Sequence, residues 1–379
     1  MARHHIAREL TPALGVPQLR GVALATPADD AEMRALLRRS EMRAVVRVAF
    51  TREPDYFAGA GLAGAVDHTV VHRSEGRLDG IARLSLHILH RNGVPRRIGY
   101  LGELRLAPET PRSTRVLRDG YDFIRTLLGA GGVSGCFTSI AADNARTRRV
   151  LEQGKRFGLP VYSPVAELVT LVAPIGVRGR PSARGADNPV VDRDELANFL
   201  ERHARGVQLS PRWDDARWAA LARHGVVPAD FCVIHAAGRV VATGTVWDQR
   251  AFKQTVICGY DGPLKVAYPF VNAIARVGLA PPLPAPGTVL QLGSVLGAAV
   301  DDDRYLEPLW EALRASAQKR GMGWLAIARD ARDPQLTALR RIVRGREYHT
   351  RLYEVSWNNA AAWTDPWDGR CFGPEVSLL

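Results

Sequence analysis

The residues with the clearest chemical potential lie in one stretch, Ile98-Gly99-Tyr100-Leu101-Gly102-Glu103-Leu104-Arg105-Leu106-Ala107-Pro108, followed by Arg112-Ser113-Thr114-Arg115-Val116-Leu117. The first run alternates in the manner of a strand, Pro108 and Pro111 end it, and Ser113 to Leu128 has the apolar spacing of a helix. A strand that passes through a short loop into a helix aims backbone N–H groups, with the positive end of the helix dipole behind them, at one point, which suits a pyrophosphate. Glu103 is the only carboxylate on that strand segment. It either acts as a general base through a water or pairs with a nearby Arg. A later strand, Cys136 to Ala141, leads to Asn144 at the start of another helical pattern, Asp143 to Gln153.

This arrangement resembles the GNAT acyltransferase superfamily, in which a strand reading L-x-V-x-P precedes a loop R/Q-x-x-G-x-G/A that holds the coenzyme A pyrophosphate. Leu104-Arg105-Leu106-Ala107-Pro108 matches the strand and Asn144 the later coenzyme-side motif. The resemblance covers about residues 25–172 and implies an N-acyltransferase that moves an acetyl or longer acyl group from acyl-CoA to an amine of a small molecule or peptide. The cofactor residues it implies are Leu104, Arg105, Leu106, Arg112, Ser113, Thr114, Arg115, Val116, Leu117 and Asn144, with Glu103 as the candidate catalytic base and a backbone N–H near Leu106 as the oxyanion donor. Two departures stand out. Arg115 and Leu117 occupy positions where the family usually has Gly and Gly or Ala, and Leu151 stands where many relatives place a Tyr. These departures keep a second reading open, a non-catalytic GNAT-fold binding or scaffold protein.

The elements around this stretch repeat along the chain. Residues 28–39 form an amphipathic helix with Met33, Leu36 and Leu37 on one side, Met42 to Phe50 a strand, and Glu53 to Phe57 the start of a short helix. Val66 to His72 and Leu78 to Leu89 make a hairpin about Ser74-Glu75-Gly76-Arg77, and Glu167 to Val172 is a strand. Further on come helices at 192–204 and 214–224, a hairpin at 231–236 and 240–247, a helix at 265–277, a strand at 289–299, a helix at 305–319, a strand at 324–329, a helix at 335–343 and a strand at 348–357. The second half thus repeats hairpin, strand, long helix, strand, helix, strand. With 379 residues against about 150 for an ordinary domain, two domains are expected. The expected fold is α/β (α+β), with two GNAT-like domains, each a mixed, mostly antiparallel sheet flanked by helices. Their bounds are an N-terminal extension 1–24, an acyl-CoA-binding domain 25–177, a linker 178–190 rich in Gly, Pro, Arg and Ser, a diverged second domain 191–358, and a C-terminal tail 359–379.

Composition narrows the classes. The chain is 46% hydrophobic and 24% charged, in the globular range. The net charge of +12 invites a polyanionic partner, but the excess is spread over both halves and no basic stripe carries aromatic residues, so nucleic acid is not expected. Of the 51 basic side chains only Lys155, Lys253, Lys265 and Lys319 are lysines. The four cysteines form no C-x-x-C pair, so neither a disulfide framework nor a zinc site is expected. His68 and His72 share a strand face without a third ligand and are read as structural, and Asp301-Asp302-Asp303 is read as a helix cap rather than a metal or phosphate site. No run reaches the ~20 apolar residues of a membrane span, and the N-terminus lacks the apolar segment of a secretory signal, so a cytoplasmic location is expected.

Overall fold

The computed structural model describes residues 21–42, 45–62, 66–110, 113–133, 135–175, 192–276, 283–357 and 365–379. The expected linker and Arg112 lie outside them. The first half runs β1 (Val22–Leu24), α1 (Asp30–Arg39), β2 (Val46–Thr51), β3 (Val66–Ser74), β4 (Arg77–Arg91), β5 (Val94–Leu106), α2 (Ser113–Ala130), β6 (Cys136–Ala141), α3 (Ala145–Glu152) and β7 (Val161–Pro174). The second half runs α4 (Arg193–Ala204), α5 (Asp215–Arg223), β8 (Cys232–Ala236), β9 (Arg239–Asp248), β10 (Gln254–Tyr260), α6 (Pro263–Arg276), β11 (Leu292–Val300), α7 (Leu306–Lys319), β12 (Trp324–Asp330), α8 (Leu336–Val343) and β13 (Arg346–Ser356).

Amphipathic periodicity decides the helices. Met33, Leu36 and Leu37 of α1 are buried, with Asp30 and Glu32 in its first turn and Arg38 and Arg39 in its last, as the helix dipole favours. Helix α2 buries Val116, Leu117, Tyr121, Phe123, Ile124 and Leu127 against the first-half sheet. In the second half, α7 buries Leu306, Leu309, Trp310, Leu313 and Ala317 in the same way. The segment after Glu53 differs from its expected helix. It forms successive turns, with Ala58 N–H bonded to Asp55 O and Ala60 N–H to Phe57 O, while the Asp55 carboxylate takes the Phe57 N–H.

Among the described residues, eleven strands form one sheet in the order β1-β3-β4-β5-β6-β13-β7-β12-β11-β9-β8. Within it the halves repeat. β4–β5 and β9–β11 are antiparallel, and β5–β6 and β11–β12 parallel, with α2 and α7 as the crossovers that parallel pairs need. The sheet is continuous because the last strand of each half lies next to the other half's strands. β13 inserts between β6 and β7, and β7 pairs with β12. The two largest cores each take in the other half's strand, Val169 and Leu171 of β7 in the second-half core and Tyr353 and Val355 of β13 in the first-half core, and a further cluster of Leu89, Ile98, Phe137, Leu168, Leu352 and Phe372 lies where the halves meet.

The described parts of the segments expected as extension and tail, 21–24 and 365–379, belong to the fold. Val22–Leu24 adds an edge strand on β3, and residues 371–379 pack against both halves. β10, unforeseen from the sequence, pairs with β2 from the other half in a separate two-stranded sheet. His72 Nδ1 lies 3.1 Å from the buried Asp79, and Asp302 accepts from Arg304 N–H at the turn before α7. No group of His, Cys, Asp and Glu among the described residues is arranged to hold a metal ion, and no described helix is long and apolar enough to cross a membrane.

Because each half is completed by a strand of the other, neither can unfold without opening the shared seam. Equilibrium unfolding in urea should be a single transition, with far-UV circular dichroism and tryptophan fluorescence giving the same midpoint.

Candidate functional site

β5 and β6 pair only at Gly99, Tyr100 and Leu101 with Cys136, Phe137 and Thr138, and they separate beyond that point. Gly99 lets the strands pack closely at the pairing, since a Cβ there would sit 2.9 Å from Leu128 Cδ2 and 3.2 Å from Leu84 Cδ1 and would push those side chains aside. The separation opens a cleft of about 1570 Å³. This exceeds the ~300–1,000 Å³ of an ordinary small-molecule pocket and suits a long ligand. The N-terminal turns of α2 and α3 both open onto it, through Ser113 and through Asn144, whose side chain caps α3 by accepting from Thr147 N–H at 3.2 Å. Glu103, Leu104, Arg105, Leu106, Val116 and Leu117 line the same cleft. Thr114 and Arg115 do not. They are exposed on α2, with Arg115 3.7 Å from Asp119. The Arg105 guanidinium donates to the Leu104 carbonyl at 2.9 Å, and Leu151, at the family's Tyr position, is buried in the first-half core.

Glu103 sits at a β-bulge. Arg83 faces Gly102 and Ile81 faces Arg105, so Glu103 and Leu104 oppose a single residue of β4, and Glu103 takes φ +53°. A non-glycine residue in that region costs about 1–3 kcal/mol, and the Glu103 carboxylate makes enough contacts to hold it there. Arg52 donates to it, Tyr56 Oη donates at 2.7 Å, and Arg83 lies 3.7 Å away while also bonding Asp67 at 2.8 Å. Burial by itself would raise the Glu103 pKa, but the Arg52 and Arg83 charges and the bonds from Arg52 and Tyr56 hold it at about 2. It is an anchored counter-ion and a weak base.

A second titratable group on the cleft, Lys253, comes from the loop before β10 and was missed from the sequence. Burial, then the positive charges of Arg52 and Arg83, opposed by Glu103, bring its pKa down to about 8. Its Nζ donates to the main-chain oxygen of Leu379, which also lines the cleft. The available signal was composition, since a lysine among so many arginines marks a side chain whose pKa burial can lower.

The second half has the same device in another form. Thr245 faces Leu296 and Thr243 faces Ala299, so Gly297 and Ala298 form the matching bulge, and Gly297 takes φ +65°. Here two things favour glycine, the left-handed backbone and the crowding, because a Cβ would lie 3.0 Å from Phe231 and 3.1 Å from Trp213. The cleft beyond β11 and β12 is only about 180 Å³ and is lined by residues 371–377 of the C-terminal segment.

Two halves with matching strand order, parallel crossover and bulge define a tandem GNAT fold. Solved structures of Saccharomyces cerevisiae N-myristoyltransferase share it. One with bound myristoyl-CoA has a TM-score of 0.55 at 10% identity, covering 89% of this chain and 83% of that one. A second with myristoyl-CoA gives 0.56 at 11%, covering 90% and 80%, and a third with myristoyl-CoA and inhibitors gives 0.55 at 11%, covering 94% and 86%. No protein-family model and no curated protein sequence matches the chain.

The Glu103 carboxylate contributes to stability in its ionised form, whose folded pKa lies below the ordinary value of 4.5. That contribution is complete above about pH 5 and is lost as pH falls toward 2; the shift corresponds to roughly 3 kcal/mol. Glu103→Gln should therefore lower unfolding free energy by about that amount at pH 7 and by much less at pH 3, as read from urea melts at the two pH values.

Proposed function

We propose that the chain is an N-acyltransferase that uses acyl-CoA, acetyl or longer, bound in the first-half cleft, and acylates an amine of a small molecule or peptide. The observation that carries this reading is the convergence of two helix N-termini on one long cleft at the point where two parallel strands part. The helix ends favour the phosphates, Arg105 adds charge, and the apolar wall of Leu117, Tyr121 and Ile124 suits an acyl chain. The myristoyl-CoA bound by the structural neighbours supports including long chains.

In the reaction the amine nitrogen attacks the thioester carbonyl, a C–N bond forms, and the C–S bond breaks to release the coenzyme A thiolate. The tetrahedral oxyanion needs an N–H donor. In this reading the donor is a main-chain N–H of the bulge at Glu103 and Leu104, both of which line the cleft. Its counterpart supports this use, since Gly297 N–H binds a carboxylate oxygen at 2.9 Å. Lys253, in its neutral form, takes the amine's proton and passes it to the departing thiolate. Glu103, the base suggested by the sequence, serves in this reading to hold Arg52 and Arg83 and so to keep the Lys253 pKa near neutrality. Arg115 is free to swing from Asp119 to a phosphate. The scaffold reading draws its support from Arg115, Leu117 and Leu151, and lacks only the chemistry.

Calorimetry with coenzyme A, acetyl-CoA and myristoyl-CoA tests binding, and thiol release across a panel of amines tests turnover. Binding without thiol release would leave the scaffold reading, and no binding at all would remove both. Arg115→Gly should weaken coenzyme A binding about tenfold through the loss of a charge-assisted bond. The parent's kcat/KM should rise with pH through about 8, since the base must be deprotonated, and Lys253→Met should abolish that limb while lowering kcat about 10²- to 10⁴-fold.

A further inference from the structure

The wall of the first-half cleft carries a pair of phenols where a plain acyl chain would call for hydrocarbon throughout. Val116, Leu117, Ile124 and Leu151 supply apolar surface, and Tyr121 of α2 and Tyr162 of β7 line the cleft with them. The two hydroxyl oxygens lie 2.5 Å apart and bond each other. Each phenol has one O–H, and the mutual bond uses only one of the two, so one donor of the pair is left over. Among the described residues neither oxygen has a further hydrogen-bond partner. With 5% and 6% of their surface exposed, the two residues have little access to bulk water. The cleft's other hydroxyl pair differs: Tyr100 and Ser139 bond at 2.9 Å but are only partly buried, so water can take their spare hydrogen.

A second spare donor stands beside the first. Trp357, just after β13, packs edge-on against Tyr121 with ring centroids 6.4 Å apart, and its Nε1–H is buried with no acceptor among the described residues. A buried donor left unmade is costly, and two at one place point to a missing acceptor. The charge of that acceptor follows from its surroundings. Burial pushes both phenols above their ordinary range, and the other groups acting on them are each other and the Cys136 thiol, itself pushed up by burial. A carboxylate would meet no cation there, whereas a neutral oxygen needs none. There is also room. Gly120, next to Tyr121 on α2, lines the cleft, and a Cβ there would meet no atom within 4 Å. Glycine is a poor helix former, so this open space is kept at the expense of α2.

We propose that Tyr121 and Tyr162, with Trp357 beside them, form a subsite for a neutral oxygen on the acyl chain, so that the cleft selects a hydroxyacyl-CoA over the plain fatty acyl-CoA of the same length. The proposal deepens the acyl-CoA reading above and rests on it. A chain hydroxyl accepts the spare phenol hydrogen, and a chain without one leaves that donor unpaired, which is the strongest form of discrimination a pocket has.

The test is calorimetric binding of the full chain to coenzyme A, myristoyl-CoA and hydroxymyristoyl-CoA isomers with the hydroxyl beside the thioester, at mid-chain and at the terminal carbon. One isomer should bind the parent about tenfold more tightly than myristoyl-CoA, and its identity marks which part of the chain reaches the phenols. The double variant Tyr121→Phe/Tyr162→Phe keeps the shape and removes both oxygens, a change that is close to neutral for folding. In it the preference should shrink to within about twofold, with coenzyme A affinity also within about twofold of the parent. The parent measurement decides even where the variant does not fold. The proposal is overturned, with acyl-CoA binding left in place, by any of three results: no isomer binding the parent more tightly than myristoyl-CoA, a preference that survives in the double variant, or a loss of coenzyme A affinity in that variant as large as the loss for the preferred isomer. Binding of none of the esters to the parent removes the acyl-CoA reading and the subsite with it.

Discussion

The antiparallel pairing of β7 with β13 governs the rest of the molecule. Its ladder runs from Arg346 opposite Val172 to Ser356 opposite Val161, and it joins a strand that ends the first half to one that ends the second. With β13 held there, β6 gains its outer neighbour, and with β7 held there, β12 gains its own. Both splays, and so both clefts, are defined by strands whose partners are supplied from the other half. The same crossing brings β10 onto β2, which sets Lys253 near Arg52, although the two are far apart in sequence.

The two bulges show how one backbone device can carry opposite electrostatics. In the first half the left-handed position is a glutamate, whose carboxylate turns back to bind Arg52, Arg83 and Tyr56 and remains ionised. In the second it is a glycine, and the carboxylate arrives from Glu375, poorly compensated and drawn toward its neutral form. The difference lies in the number of donors each carboxylate meets, since burial penalises both charges alike.

Local signals in the sequence located most helices and the strand-loop-helix around Glu103. The spacing of Met33, Leu36 and Leu37, and of Val116, Phe123, Ile124 and Leu127, was enough, because a buried helix face is written in nearby residues. The tandem order was legible for the same reason. The exchange of β7 and β13 was not, since a strand's pattern states that one face is buried and is silent on which neighbour buries it. Glu103 shows the same limit. Its type suggested either a base or an ion-pair partner, and the choice rests on Arg52, 51 residues away, and Tyr56. Lys253 and residues 371–379 escaped because their roles come from contacts with distant segments, while composition marked one only as a lysine and the other only as a tail.

The crossing of the halves also sets an order of events during synthesis. When β6 has emerged from the ribosome, the strand that will cover its outer edge, β13, is still some 200 residues from being made, at roughly 5–20 residues per second. For that interval β6 offers a row of unpaired N–H and C=O groups beside an apolar face, the template on which another chain can add a strand. Tandem architecture of this kind therefore makes the nascent first half a client for protection until β13 has emerged, a demand that a single-copy version closing its own sheet would not create.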